Sequence, residues 1–204
     1  MHDDVRNILL AGVGGQGTLL ASELLSEALL LAGYDVKKSE IHGMSQRGGS
    51  VTSHVRFGSR VLSPLIDDGQ ADILFGFELL ETYRYLPMLR RGGAVFANSQ
   101  RILPAPVAVG TASYPQEIQE KLRRACPGTH FVDGLTLACE AGHPRTVNTV
   151  LLGALSTALD ISPAIWREVI SGKVPAQFLQ ENLRAFELGR DSQADAPPAM
   201  QAAD

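Results

Sequence analysis

Four glycines within six residues lie near the start of the chain, where a short apolar run meets an amphipathic segment. The segment is Gly12-Val13-Gly14-Gly15-Gln16-Gly17, followed by Thr18. Glycine lets the backbone bend sharply and approach a ligand, while the first amides of a following helix direct unpaired N–H groups and the positive dipole end at one spot. Phosphate fits that spot. We therefore expect a cofactor phosphate to be bound by Gly12, Gly14, Gly15, Gln16, Gly17 and Thr18.

A second set of chemically useful side chains lies in the glycine-rich stretch 40–50. Arg47 offers a planar fork for a carboxylate or phosphate, and the neighbouring glycines free backbone amides for an anion. His42 is the candidate in this stretch for acid–base chemistry. We assign His42 and Arg47 to catalysis, and Ser45 and Gln46 to cofactor binding. In the alternative, the stretch is a turn in which Arg47 forms a salt bridge within the fold and His42 is structural.

The first glycine segment also matches G-x-G-x-x-G, the pattern of turns that bind nicotinamide or flavin dinucleotides. That function requires an acid about 20 residues later to hold the ribose, and Asp35 and Glu40 lie at suitable distances. A dinucleotide fold would then continue through a crossover helix, whereas here a glycine-rich loop and a return strand follow. The NAD interpretation is thereby disfavoured. A further alternative is that the turn only packs the helix on the sheet.

The elements around both segments follow from the hydrophobic pattern. Residues 8–11 form an apolar run typical of a buried strand, and helical spacing extends over 18–32 with Gly33 just beyond. Residues 34–40 and 50–57 are predicted strands, with His54 and Arg56 facing solvent or a partner. The connection between these strands is too short for a crossover helix, so we expect part of the sheet to be mixed.

The rest of the chain alternates strands and helices and then becomes helical. We predict strands at 71–76, 94–98, 107–109 and 131–132, and helices at 79–93, 115–125, 136–142, 145–160, 163–171 and 176–189. This order indicates a three-layer α/β/α domain with a mostly parallel, partly mixed sheet and a helical C-terminal third. Trp166, Phe178 and Phe186 of that third are expected in the core, with a partner surface as the alternative. The domain is assigned to residues 1–190, and 191–204 are expected to form a disordered tail.

Composition and charge exclude several functional classes. The 204 residues are 45% apolar and 20% charged with a net charge of −4, which argues against nucleic-acid binding. Because residues 1–6 carry acids and no long apolar run, we expect no signal peptide or membrane span and a cytoplasmic protein. The chain has two cysteines and five scattered histidines, so we expect no disulfide framework and no metal site.

Several segments in order resemble the gamma-type domain of the 2-oxoacid:ferredoxin oxidoreductases. They are GVGGQG, EIHGMSQRGGSVTSHVRFG, ADILFGFELLETYRYLPML, NTVLLGALS and FLQENLRAFELG, spread over residues 8–189. Each glycine motif alone is weak, whereas their order and spacing with the later segments are specific. Within the family, the chain looks most like the small subunits of the indolepyruvate (aryl-pyruvate) branch.

The resemblance implies a subunit, inactive alone, of a complex that oxidatively decarboxylates a 2-oxoacid, reduces ferredoxin and releases an acyl-CoA. It places thiamine diphosphate, magnesium and iron–sulfur clusters on a large cysteine-rich partner, consistent with only two cysteines here. It also implies that residues 12–18 hold the phosphates of coenzyme A, with Arg47 assisting and the 42–49 loop facing the partner's cofactor. Two alternatives stay open: a self-sufficient NAD(P)-dependent oxidoreductase, and a purely structural subunit without a ligand.

Overall fold

A computed structural model describes residues 5–43 and 48–194. The strands are β1 (Arg6–Val13), β2 (Asp35–His42), β3 (Ser50–Gly58), β4 (Ala71–Gly76), β5 (Leu89–Asn98) and β6 (His130–Val132). The helices are α1 (Thr18–Leu31), α2 (Leu79–Arg84), α3 (Ala105–Ala108), α4 (Ile118–Ala125), α5 (Gly134–Ala141), α6 (Val147–Ser156), α7 (Pro163–Lys173) and α8 (Leu179–Asp191). Short 3-10 turns occupy Leu86–Met88, Pro144–Thr146 and Ala176–Phe178.

The strands form one six-stranded sheet in the order β2-β3-β1-β4-β5-β6. β1, β4, β5 and β6 pair in parallel, whereas β3 is antiparallel to both β1 and β2. Among the described strands, β3 is therefore the one that runs against the others. The predicted mostly parallel, partly mixed sheet is confirmed.

Side chains alternate across the sheet and build cores on both of its faces. Ile8 and Leu10 of β1 pack in the larger core, which α1 and α5–α8 cover. Leu9 and Ala11 point the other way, into a smaller core with Leu74 and Val95. A third cluster joins α2 and α4. Fully buried Trp166 lies in the larger core with Phe186, as predicted, whereas Phe178 is 36% exposed.

Two predicted elements are wrong. The helix expected over 79–93 ends at Arg84, and β5 already begins at Leu89. Pro87 explains the early end, because proline disfavours helical backbone in the residue before it and lacks an N–H donor. Where a strand was expected at 107–109, the helical turn α3 ends at Ala108, with Pro106 inside it and Gly110 beyond it at φ +78°.

His54 is buried and Arg56 is half-buried, whereas both were expected to face solvent or a partner. His54 is 7% exposed and its Nδ1 accepts a hydrogen bond from the amide of Ile66 at 3.1 Å. The guanidinium of Arg56 donates to Asn7 and to two carbonyls of the loop that follows β3. Both side chains thus anchor this loop over the sheet.

The described fold continues past the predicted domain end at residue 190. α8 reaches Asp191, and Gln193 beyond it is 8% exposed with its Oε1 2.9 Å from His130 Nδ1. Residues 195–204, the remainder of the predicted tail, lie outside the described residues.

Candidate functional site

The glycine turn lies where the connections of the sheet change sides. β1 leads into α1 on the side of the larger core, whereas its parallel neighbour β4 leads into α2 on the opposite side. In open α/β sheets, ligands bind outside the carboxyl ends of the strands at such a switch point. The turn therefore occupies the position at which folds of this class hold their ligands.

Gly12 and Gly17 permit close approaches that a side chain would block. A Cβ atom on buried Gly12 would lie 2.8 Å from Thr18 Oγ1 and 2.9 Å from Phe77 Cβ. Gly17 is the N-cap of α1 with φ +76°, and its Cβ would lie 3.0 Å from Asn148 Nδ2. Gly12 lets the first residue of α1 pack against the end of β1, and Gly17 lets α6 pack against the start of α1.

Gln16 is occupied by contacts within the fold. Its Oε1 accepts the amide of Val13 at 2.8 Å, and its Nε2 donates to the Phe77 carbonyl at 2.8 Å and to Gln100 Oε1 at 3.4 Å. Asn98 donates to the same Phe77 carbonyl at 3.0 Å. Both amide hydrogens of Gln16 have acceptors within the fold, so this side chain positions the turn, and its assignment to cofactor binding stays a prediction.

The start of α1 offers donors to an anion. Gly17 caps the helix without a side-chain hydrogen bond, and the first turn contains no acidic residue. The first helical bond runs from Ala21 N to Gly17 O at 2.9 Å, which leaves the amides of residues 18–20 without intrahelical acceptors. Thr18 is 3% exposed, and its Oγ1 has no partner in the described parts of the chain. Backbone donors and the helix dipole thus converge at the predicted position.

Two clefts flank the turn. The helical cleft, about 620 Å³, lies between Gly14–Gly17 and the residues on either side of α6, α7 and α8, including Asn148, Arg145, Lys173 and Phe178. The hairpin cleft, about 430 Å³, lies between the turn and the β2–β3 pair and is lined by His42, Thr18 and Val51. The turn forms a common wall of both clefts.

His42 is exposed at the end of edge strand β2 and reaches the hairpin cleft. Its Nδ1 lies 3.3 Å from the carbonyl oxygen of the adjacent Gly43. Ser45, Gln46 and Arg47 lie outside the described residues. The structure thus brings His42 beside the glycine turn, while the assignments of the other three side chains stay predictions.

The far end of the second loop is bound to the turn and to α2. Gly14 donates its amide to the carbonyl of Gly49 at 2.9 Å. Ser50 Oγ donates to Glu81 Oε2 at 2.6 Å and lies 3.2 Å from the hydroxyl of Tyr85. These bonds hold the two glycine-rich segments side by side, as their proposed joint role requires.

The wall of the helical cleft opposite the turn was missed by the sequence analysis. Asn148 is 6% exposed, whereas Arg145 is exposed and forms no ion pair within residues 5–43 and 48–194. Lys173 Nζ lies 2.9 Å from Glu27 Oε2, and this hydrogen bond raises the pKa of Lys173, so that the ammonium stays charged. No local sequence signal distinguishes these cations from ordinary surface residues.

No cluster of three or more His, Cys, Asp or Glu side chains suited to a metal ion occurs in residues 5–43 and 48–194. Over the same ranges, no helix combines the length and apolarity needed to cross a membrane.

Comparison with known proteins gives consistent matches over nearly the whole chain. Residues 7–192 match the family described as Pyruvate ferredoxin/flavodoxin oxidoreductase. The chain is 45% identical over 188 residues to "Indolepyruvate oxidoreductase subunit IorB" of Thermococcus kodakarensis, covering 90% of this chain and 93% of the relative.

Two solved structures share the fold. The gamma subunit of a keto/oxoacid ferredoxin oxidoreductase from Geobacter sulfurreducens matches with a TM-score of 0.68 and 24% identity, over 94% of this chain and 99% of that chain. The 2-oxoglutarate:ferredoxin oxidoreductase of Magnetococcus marinus, solved with 2-oxoglutarate, coenzyme A and succinyl-CoA bound, matches with a TM-score of 0.71 and 24% identity. This chain is covered to 98% and corresponds to 33% of that longer chain.

Proposed function

Because this chain belongs to the pyruvate ferredoxin/flavodoxin oxidoreductase family, we propose that it is the small subunit of an indolepyruvate (aryl-pyruvate) ferredoxin oxidoreductase. The complex would oxidatively decarboxylate a 2-oxoacid, pass the electrons to ferredoxin and release an acyl-CoA. The family resemblance expected from the sequence is confirmed. The preference for indolepyruvate is supported by the 45% identity to an indolepyruvate oxidoreductase subunit.

We place thiamine diphosphate, magnesium and the iron–sulfur clusters on a large cysteine-rich partner subunit. The two cysteines of this chain do not supply a cluster, since Cys126 donates to the Gly93 carbonyl at 3.6 Å and Cys139 is exposed on another helix. The chain is then an obligate subunit without activity of its own, and ferredoxin is reached through the complex. We also propose that it works in the cytoplasm.

The observation that carries the proposed ligand is the start of α1. Its free amides lie between two clefts, and the first turn of the helix has no acidic side chain that would repel an anion. Coenzyme A contains a pyrophosphate, which is suited to backbone donors at a helix N-terminus. We propose that the 12–18 turn holds the phosphates of coenzyme A, and that Arg47 assists at an anionic group. His42 would face the partner's cofactor from the hairpin cleft.

Steady-state kinetics of the reconstituted complex test this assignment. Arg47→Ala should raise the apparent KM for coenzyme A about tenfold, as expected for loss of a charge-assisted hydrogen bond. Arg124→Ala, on α4, removes an exposed cation remote from both clefts and serves as the control. An unchanged KM in an assembled complex would contradict the role of Arg47.

Pull-down of the native chain tests the partner. We expect it to co-purify with a cysteine-rich subunit of several hundred residues, together with iron that can be quantified chemically. Titration of the isolated chain with NAD(P) tests the alternative function. Binding of the nucleotide without a partner would favour a self-sufficient NAD(P)-dependent oxidoreductase. A complex whose kinetics tolerate every substitution in the turn would indicate a purely structural subunit.

A further inference from the structure

We infer that the outer edge of β2 binds the same edge of a second copy of this chain. The two strands pair antiparallel about a two-fold axis at Ser39, which joins the two sheets into one. The inference does not depend on the proposed function, because β3 separates this edge from β1 and its glycine turn.

β2 is a long strand with one edge that the fold does not use. Its eight residues, Asp35–His42, pair with β3 on one side. Within residues 5–43 and 48–194, no backbone bond links this strand to any element other than β3. An extended edge of this length is a template for another strand, and identical surfaces related by a two-fold axis form the commonest kind of dimer.

The side chains of β2 alternate between the two faces of the sheet. Val36 packs against the larger core, and Ser22 Oγ of α1 lies 3.4 Å from Glu40 Oε1, so the even-numbered residues face α1. Asp35 lies on the opposite face, where its Oδ2 accepts the amide of Val61. A two-fold axis normal to the sheet preserves these faces, so residues that lie opposite each other are both even or both odd.

Charge selects one register from those that pair more than half of the strand. A pair centred on Lys37, Lys38 or Glu40 would place two identical charges directly opposite each other, which is destabilising. A pair centred on Ser39 covers residues 36–42 of both copies. It places Lys38 opposite Glu40 of the second copy, and this contact occurs once on each side of the axis. The edge is therefore complementary to itself in the Ser39-centred register.

Lys38 and Glu40 already form an ion pair within one strand, with Nζ 2.8 Å from Oε1. Cβ atoms that lie directly opposite in an antiparallel pair are about 5 Å apart, so two such ion pairs combine into a ring of four alternating charges. Lysines on a strand edge discourage pairing with unrelated strands. The same lysines therefore allow pairing with a strand that brings carboxylates to the matching positions.

Apolar side chains beside the edge add contact area. Leu30 and Leu31, at the end of α1 shortly before β2, are 55% and 52% exposed on the face that carries the charge ring. On the other face, Ile41 is 51% exposed and lies opposite Lys37 of the second copy, whose aliphatic stem can cover it. Strand pairing needs such added contact to approach the about 1,200 Å² typical of a stable interface.

Sedimentation velocity of the full chain tests the dimer, whose mass should be twice the 21.9 kDa of a single chain at micromolar concentration. Lys38→Glu and Glu40→Lys each replace two attractive contacts by two repulsive ones, so each should raise the dissociation constant at least about tenfold. An equal mixture of these two variants restores both contacts and should form a mixed dimer. Lys121→Glu on α4 changes the charge equally and should leave the dimer intact.

Cross-linking tests the register. Ser39→Cys places two thiols on the axis with Cβ atoms about 5 Å apart, so mild oxidation should join the copies by a disulfide. Lys37→Cys lies opposite Ile41 of the second copy and should not cross-link. The unmodified chain, with Cys126 and Cys139, gives the background.

Three results would overturn the inference. The first is a chain that stays monomeric at every concentration. The second is a dimer that tolerates both Lys38→Glu and Glu40→Lys, because such a dimer uses another surface. The third is equal cross-linking of Ser39→Cys and Lys37→Cys, which would contradict the register. A mixed dimer formed from two variants that are each monomeric supports the pairing and shows that both variants are folded.

Discussion

Gln16 joins the ends of three strands through one side chain. It links the Val13 amide of β1, the Phe77 carbonyl after β4 and the Gln100 side chain after β5. A glutamine carries both donors and an acceptor, so it can satisfy backbone groups of opposite kind at the same point. The turn that holds the proposed ligand therefore has its geometry set from the strand ends beneath it.

Replacing Gln16 by leucine should destabilise the fold. The substitution retains side-chain volume but leaves the Val13 amide without an acceptor, at a cost of about 1–3 kcal/mol in the free energy of unfolding. Urea unfolding followed by circular dichroism measures the loss. Gln180→Leu, exposed on α8, should change stability by less than about 0.5 kcal/mol. Equal stability of the two variants would show that Gln16 does not brace the turn.

His54 makes the stability of the fold depend on pH. Burial lowers the pKa of His54, and the Ile66 amide bonded to its Nδ1 also requires the neutral ring. A histidine with a folded pKa below its unfolded value contributes full stability above about pH 6.5, and this is lost as pH falls toward the folded pKa. Burial likewise lowers the pKa of His130, against an opposing hydrogen bond to Gln193.

The free energy of unfolding should therefore fall between pH 7.5 and pH 5.5, by at most about 1.4 kcal/mol per pH unit for each such histidine. Urea titrations at several pH values measure the slope. His54→Gln retains an acceptor for Ile66 but cannot titrate, so its slope should be shallower than that of the unmodified chain. A slope unaffected by this substitution would contradict the assigned pKa direction.

The crossing of α6 and α8 depends on two glycines that bring the helix backbones together. A Cβ on Gly153 would lie 2.1 Å from the Phe186 carbonyl oxygen, and one on Gly189 would lie 1.9 Å from the Val150 carbonyl oxygen. Neither carbonyl can move without its helix. α6 starts at Val147 and carries Asn148 into the helical cleft, so this crossing also sets one wall of the site.

Alanine at Gly153 or Gly189 should destabilise the protein by about 3 kcal/mol, at the upper end of overpacking costs, although alanine favours helix formation. The thermal unfolding midpoint measures the effect. Gly172 of α7 has no atom within 4 Å of its Cβ position, so Gly172→Ala should instead be neutral or stabilising by up to about 1 kcal/mol. Similar midpoints for Gly153→Ala and Gly172→Ala would refute the close crossing.

Both clefts lie at the turn that follows β1. The last described residues of the chain pack elsewhere, against the edge strand β6. There, Gln193 beyond α8 contacts His130 of the edge strand β6. His130 stacks on Phe96 with ring centroids 4.5 Å apart, while its Nε2 has no partner in the described residues. Gln193 therefore belongs to the folded unit.

Shortening the chain tests this boundary. A chain ending at Ala194 should unfold at the same temperature as the full chain, because the sequence of residues 195–204 has two prolines and no apolar periodicity. A chain ending at Arg190 should lose about 1–2 kcal/mol, since the buried histidine loses its hydrogen-bond partner. Gln193→Ala should reproduce most of this loss. Equal midpoints for both shortened chains would restore the boundary predicted at residue 190.

The sequence alone determined the features that depend on neighbours along the chain. The apolar run, the glycines and the amphipathic segment predicted β1, the turn and α1, and the short connection after β2 predicted an antiparallel return. The order of the glycine motifs also indicated the family. These inferences succeed because strand and helix periodicity and turn chemistry are local properties of the sequence.

Only the tertiary structure decided which distant residues meet at the turn. Nothing near Gln16 in sequence indicates its partners after β4 and β5, and nothing near Asn148 indicates that it lies over Gly17. The same holds for Gly153 and Gly189, whose need for glycine arises from the opposing helix rather than from their own. Periodicity records that a residue is buried, but the contact it makes depends on how elements far apart in the chain pack together.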